Sequence, residues 1–156
     1  MVSTTSLTET LNDLIKINHD RITGYEKAVE ELKEGDIDLK ATFNKMADES
    51  RKYKSELTAH VLKLGGEPAE GSTVPGKIYQ AWMDVKATFS GNDRKTTLQS
   101  CEFGEDAAQK AYREALATDA EMDVETRQLI TDQQASLKTS HDIIKKLRDA
   151  HGGYWT

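Results

Sequence analysis

The chain is short of the residues that would tie it to many chemistries. Among 156 residues there is one cysteine, Cys101, and there are two prolines, Pro68 and Pro75. A single thiol cannot form an intrachain disulfide, and it suits a reducing compartment. No apolar run approaches the roughly 20 residues that a membrane-spanning helix needs. The opening Met1–Ser6 lacks the basic and apolar regions of a signal peptide, so a cytoplasmic location is expected. Positive charge is also in deficit: the net charge is −6, and lysines and arginines alternate with acids instead of clustering. Such a surface argues against a general nucleic-acid binder. The chain contains no glycine-rich phosphate loop, no CxxC pair and no strand signal of any weight, and nothing in it nominates a Ser-His-Asp arrangement.

What is present is helix. Hydrophobic residues make up 37% and charged residues 31%, the balance of long amphipathic helices with solvated outer faces. The length fits a single domain spanning residues 1–156. Ser6 and Glu9 form a capping-box pair that predicts a first helix from about Ser6 to Glu34-Gly35. Its inward stripe holds Leu11, Leu14, Asn18, Ile22 and Tyr25. A second helix, about Asp38 to Leu64, carries Leu39, Phe43, Met46, Ser50, Tyr53 and Leu57 on one side, and Gly65-Gly66 stops it. The stretch Gly65–Gly76 holds four glycines and both prolines. After it, Ile78, Trp82, Val85 and Phe89 predict a short helix packed on the bundle. A third long helix runs from about Asp93 to Asp119 and a fourth from about Val124 to Ala150. These spacings predict an all-α, antiparallel four-helix bundle with the short helix in the connection between the second and third long helices.

The inward faces carry more polar groups than a plain bundle needs. Glu102 and Glu105, three residues apart, share a face with Leu98, Cys101, Ala108 and Tyr112. Burying an unpaired carboxylate costs several kcal/mol, so the pair requires a partner. That partner is a metal ion, a cation from another helix, a shared proton or water. Lys54 on the inward face of the second helix and Arg21 near the edge of the first are the candidate cations. Tyr25, Tyr53, Tyr112 and Gln133 complete the expected polar network, the tyrosines as core aromatics with hydrogen-bonded hydroxyls. Cys101 is expected to be a small buried hydrophobe.

The segments Gly24-Tyr25-Glu26-Lys27-Ala28-Val29, Leu64-Gly65-Gly66-Glu67-Pro68 and Cys101-Glu102-Phe103-Gly104-Glu105-Asp106, with Tyr112 further on, resemble a bacterial domain-of-unknown-function family. Its members are four-helix-bundle proteins of the ferritin-like superfamily. The wider superfamily implies a di-iron or di-manganese centre, with one Glu on each of two helices and a Glu-x-x-His motif on each of the other two. By that resemblance Glu26, Glu102 and Glu105 are candidate ligands, with Glu49, Glu56 or His60 supplying the second helix. The match is partial. Lys52 stands where the histidine after Glu49 would be, and the last helix offers Gln133 with Ser136 or Ser140. The leading expectation is therefore a ferritin-like protein without a complete di-metal site, its carboxylates satisfied by Lys54 or Arg21, with a stress-related role implied by resemblance alone. The alternatives are a carboxylate-bridged Fe or Mn protein that oxidises, stores or buffers metal, and a homo-oligomeric interaction module such as a homodimer.

Overall fold

The structure, a computed structural model, describes residues 4–32, 36–69, 94–117 and 122–154. They form four long helices: α1 (Thr4–Glu31), α2 (Ile37–Lys63), α3 (Arg94–Leu116) and α4 (Val124–Tyr154). Each repeats apolar residues at spacings of three and four, which places them on one face. Leu11, Leu14, Ile15, Phe43, Leu57, Leu98, Tyr112, Ile130, Leu137 and Ile144 meet in one continuous core. Tyr25 and Phe43 pack ring against ring, with centroids 5.4 Å apart. Among the described residues no helix is long and apolar enough to cross a membrane. The expected short helix around Trp82 lies outside the described residues.

Cross-helix bonds fix the topology. Asn18 meets Ser50 and, further along α1, Arg21 reaches back to the Met46 carbonyl, so α1 and α2 are antiparallel. Tyr112 with Gln133 and Glu102 with Arg148 make α3 and α4 antiparallel. Between these two hairpins, α1 runs opposite to α3 through Arg21–Glu105 and Asn18–Tyr112. In the same way α2 runs opposite to α4 through Glu56–Gln133 and Glu49–Ser140. Every neighbouring pair is thus antiparallel, while α2 and α3 point the same way, which is the topology of a bundle with one long crossover.

The ends of α2 and α4 show how the sequence sets these limits. After α2, Gly65 adopts φ of +83°, its N–H bonds to the Leu62 carbonyl, and the Gly66 N–H bonds to the Val61 carbonyl. This is a Schellman turn, and its left-handed residue is the one that tolerates positive φ without a Cβ clash. The chain then turns back along α1, where the Asn12 side chain bonds both the Glu67 carbonyl and the Ala69 N–H. At the start of α4, Asp123 accepts a hydrogen bond from the Thr126 hydroxyl, and its carbonyl accepts the Arg127 N–H.

Candidate functional site

At mid-bundle, where the inward polar residues converge, the central group is a guanidinium. Arg21 and Glu105 are both about 1% exposed and pair bidentately, Nε to Oε1 at 2.6 Å and Nη2 to Oε2 at 2.8 Å. Nη1 donates to the Met46 carbonyl at 3.1 Å and to Ser50 Oγ at 2.7 Å, and Nη2 also approaches Met46 Sδ at 3.7 Å. An arginine has five N–H donors in a fixed fork, and here each has an acceptor. The face of Tyr25 lies against the same guanidinium, 5.2 Å from ring centroid to Cζ. Burial alone would lower the Arg21 pKa, but the charge and hydrogen bonds of Glu105 more than offset it and the net direction is upward. Burial, then the nearby Glu105 carboxylate, pushes the Tyr25 phenol and the Cys101 thiol up, so both stay protonated and neutral.

From this pair a chain of hydrogen bonds runs through all four helices. Arg21 donates to Ser50. Ser50 donates to Asn18 Oδ1 at 2.9 Å, and Asn18 Nδ2 donates to the Tyr112 hydroxyl at 2.9 Å. Tyr112 donates to Gln133 Oε1 at 2.7 Å, and Gln133 Nε2 donates to Glu56 Oε1 at 3.1 Å. The direction is forced by chemistry. Arg21 can only donate, so the Ser50 proton must point onward. The Leu14 carbonyl, 2.9 Å from Asn18 Nδ2, can only accept, which fixes the orientation of that amide. The Tyr53 carbonyl does the same for Gln133. A buried cation at one end and a carboxylate at the other thus polarise five bonds in one sense.

The sequence candidates separate into those this cluster gathers and those it leaves outside. Glu105, Tyr25, Tyr112, Gln133 and Glu56 belong to it, and Arg21 is its centre. Glu102, one turn before Glu105, faces the α3–α4 seam and accepts from Arg148 Nη1 at 2.9 Å. Glu26 is on the outer surface, its side chain 53% exposed and paired with Arg51 at 2.6 Å. Lys54 lies at the α1–α2 edge against His19 Nδ1 at 3.2 Å, away from the carboxylate pair. Glu49 accepts from Ser140 at 2.7 Å, and the backbone carbonyl of Tyr53, not its hydroxyl, receives Gln133. His60 is buried, with Nε2 2.6 Å from the Thr126 hydroxyl near the start of α4. Sequence reasoning missed Asn18 and Ser50 as relays, although each lies in an apolar stripe. It also missed Asn12, whose spacing of three from Ile15 was the available signal.

Residues 6–118 match the family described as Domain of unknown function (DUF2383). The chain belongs to that family. No curated protein matches the sequence. A similar solved structure is the protein described as a dodecameric thioferritin, the bacterioferritin-related protein from Bacteroides fragilis. The TM-score is 0.80 over 98% of this chain and 90% of that one, at 14% identity. At that identity the likeness is one of fold: this DUF2383 member has a ferritin-like four-helix fold.

Ferritin-like bundles raise the question of a metal centre, and the donors here do not fit one. Both Glu105 oxygens are engaged by Arg21, and a guanidinium stands where a cation would. Glu26 and Glu102 each face an arginine on a different seam, while Glu49 and Glu56 accept from Ser140 and Gln133. Among the described residues no three His, Cys, Asp or Glu side chains converge as a metal site would require.

Proposed function

We propose that this protein is a non-enzymatic ferritin-like bundle whose core cation is Arg21, and that it acts as a structural or binding unit in the cytoplasm. The observation that carries the reading is the bidentate Arg21–Glu105 pair, buried at mid-bundle with every guanidinium N–H matched. A carboxylate whose two oxygens are committed to an arginine is a poor ligand, because binding a metal there requires expelling a buried cation. The lone buried Cys101 accords with a reducing compartment. The test is elemental analysis of protein purified without chelator, followed by anaerobic Fe(II) and Mn(II) titration. No tight equivalent is expected, and none should appear in the wild type or in Glu102→Ala. One or two tightly held equivalents, lost in Glu105→Gln, would instead establish the carboxylate-bridged di-iron or di-manganese reading.

A second reading, a homo-oligomer, is favoured by two exposed apolar side chains, Phe103 on the outer face of α3 and Val124 at the start of α4. The fold neighbour's description as dodecameric supports it. Light scattering across a concentration series tests it: an assembly that dissociates in Phe103→Ser supports the reading, and a monomer at all concentrations rejects it.

A further inference from the structure

The α3–α4 seam carries an arrangement that the core network does not use. His141, part-buried on α4, has a carboxylate on each ring nitrogen: Nε2 bonds Asp106 of α3, and Nδ1 lies 3.1 Å from Asp142 Oδ1 on its own helix. A neutral imidazole has one N–H and one lone pair. If the ring were neutral, one carboxylate would face a lone pair and the contact would be repulsive. With a proton on each nitrogen both contacts become charge-assisted hydrogen bonds, and one of them crosses between helices.

We propose that His141 is a protonation-dependent clasp, an imidazolium that joins α3 to α4 through Asp106 and slackens when it loses its proton. The charged groups around it come from both helices. Asp106 faces it from α3, and Glu102, one turn earlier on that helix, is held by Arg148. From α4 come Asp142, itself paired with Lys138 at 3.4 Å, and Arg148, which also holds Asp149. The groups acting directly on the ring are therefore the two carboxylates, of which Asp142 is also paired with Lys138. Burial lowers the His141 pKa, but the hydrogen bonds and charges of Asp142 and Asp106 outweigh it and the net direction is upward from 6.5. A raised histidine pKa stabilises the folded state fully below the unfolded value and ceases to do so as pH rises through the folded one. The clasp is thus closed below the unfolded histidine value of 6.5 and opens as pH rises through the raised folded value.

Two measurements test this together. Long-range imidazole NMR on the intact protein, with His141 assigned from His141→Gln, gives the folded pKa. Urea unfolding of wild type and His141→Gln at steps from pH 5.5 to 9 gives the linked change in stability. His141 is expected to titrate above 6.5. The wild-type unfolding constant, relative to that of His141→Gln, should rise tenfold for each pH unit of that displacement. Asp106→Asn, at an exposed position, should bring the His141 pKa down and reduce the wild-type loss. Titration at or below 6.5, or parallel pH profiles for wild type and His141→Gln, would overturn the proposal. The wild-type NMR titration decides it even if His141→Gln folds poorly.

Discussion

Arginine normally buries its stem and keeps its head in water, and Arg21 inverts the second half of that rule by burying its head as well. That inversion is tolerated because Glu105 neutralises the charge and because Met46, Ser50 and Glu105 accept all the donors. Removing either partner alone should therefore be costly. Arg21→Met leaves the Glu105 carboxylate buried without its cation, and Glu105→Gln leaves the guanidinium without its anion. Each single change is expected to destabilise by about 3–5 kcal/mol in urea unfolding. Tyr112 occupies a different link of the same chain, accepting from Asn18 and donating to Gln133. Tyr112→Phe keeps the ring and the packing but orphans a donor on Asn18 and an acceptor on Gln133. A loss of about 1–3 kcal/mol is expected by the same assay, and a loss near zero would mean that the chain does not act as drawn.

At the scale of the element, the turn after α2 gives the cleanest test of local backbone preference. A Cβ on Gly65 would meet nothing within 4 Å, so any effect of Gly65→Ala comes from its φ of +83° and not from crowding. A cost of about 1–2 kcal/mol is expected from thermal or urea unfolding. At Gly66 the reverse holds, since a Cβ there would fall 2.6 Å from the Thr8 methyl. These boundaries were legible in the sequence. Gly65-Gly66 and the stripe of α2 place its end near Leu64, and the observed helix ends at Lys63. The spacing of α4 predicts a start at Val124, where the structure begins it. The site was legible only in part, for a geometric reason. At 100° per residue, neighbouring positions on a stripe edge differ little in sequence terms, yet they face either the core or a seam. Glu102 and Glu105 share a face, but one reaches Arg148 and the other Arg21. Arg21 lies three residues after Asn18 and four before Tyr25, so its placement inside the stripe was readable. That it rather than Lys54 reaches Glu105 depends on how the helices are aligned, which no single helix encodes.

Over the whole molecule, most inter-helix contact lies within the hairpins α1–α2 and α3–α4, and the two hairpins meet across a polar middle. Leucines there would join them more simply, because apolar packing carries no desolvation penalty for charge. What the Arg21–Glu105 pair adds is register. A bidentate guanidinium–carboxylate contact is satisfied in one relative position of α1 and α3, whereas leucine layers can slip by a turn and still bury their area. The double variant Arg21→Met with Glu105→Met tests this division of roles. Its stability is expected to equal or exceed that of the wild type, by up to about 4 kcal/mol, even though each single change is costly. If the pair specifies register, the double variant should also lose uniqueness of packing. Its amide hydrogen exchange should become faster at the α1–α3 and α2–α4 contacts while protection within each hairpin is retained. A double variant that is both more stable and as uniformly protected as the wild type would show that the buried pair does not set the alignment of the hairpins. The α1–α3 register would then rest on apolar packing and on the Asn18–Tyr112–Gln133 bonds alone.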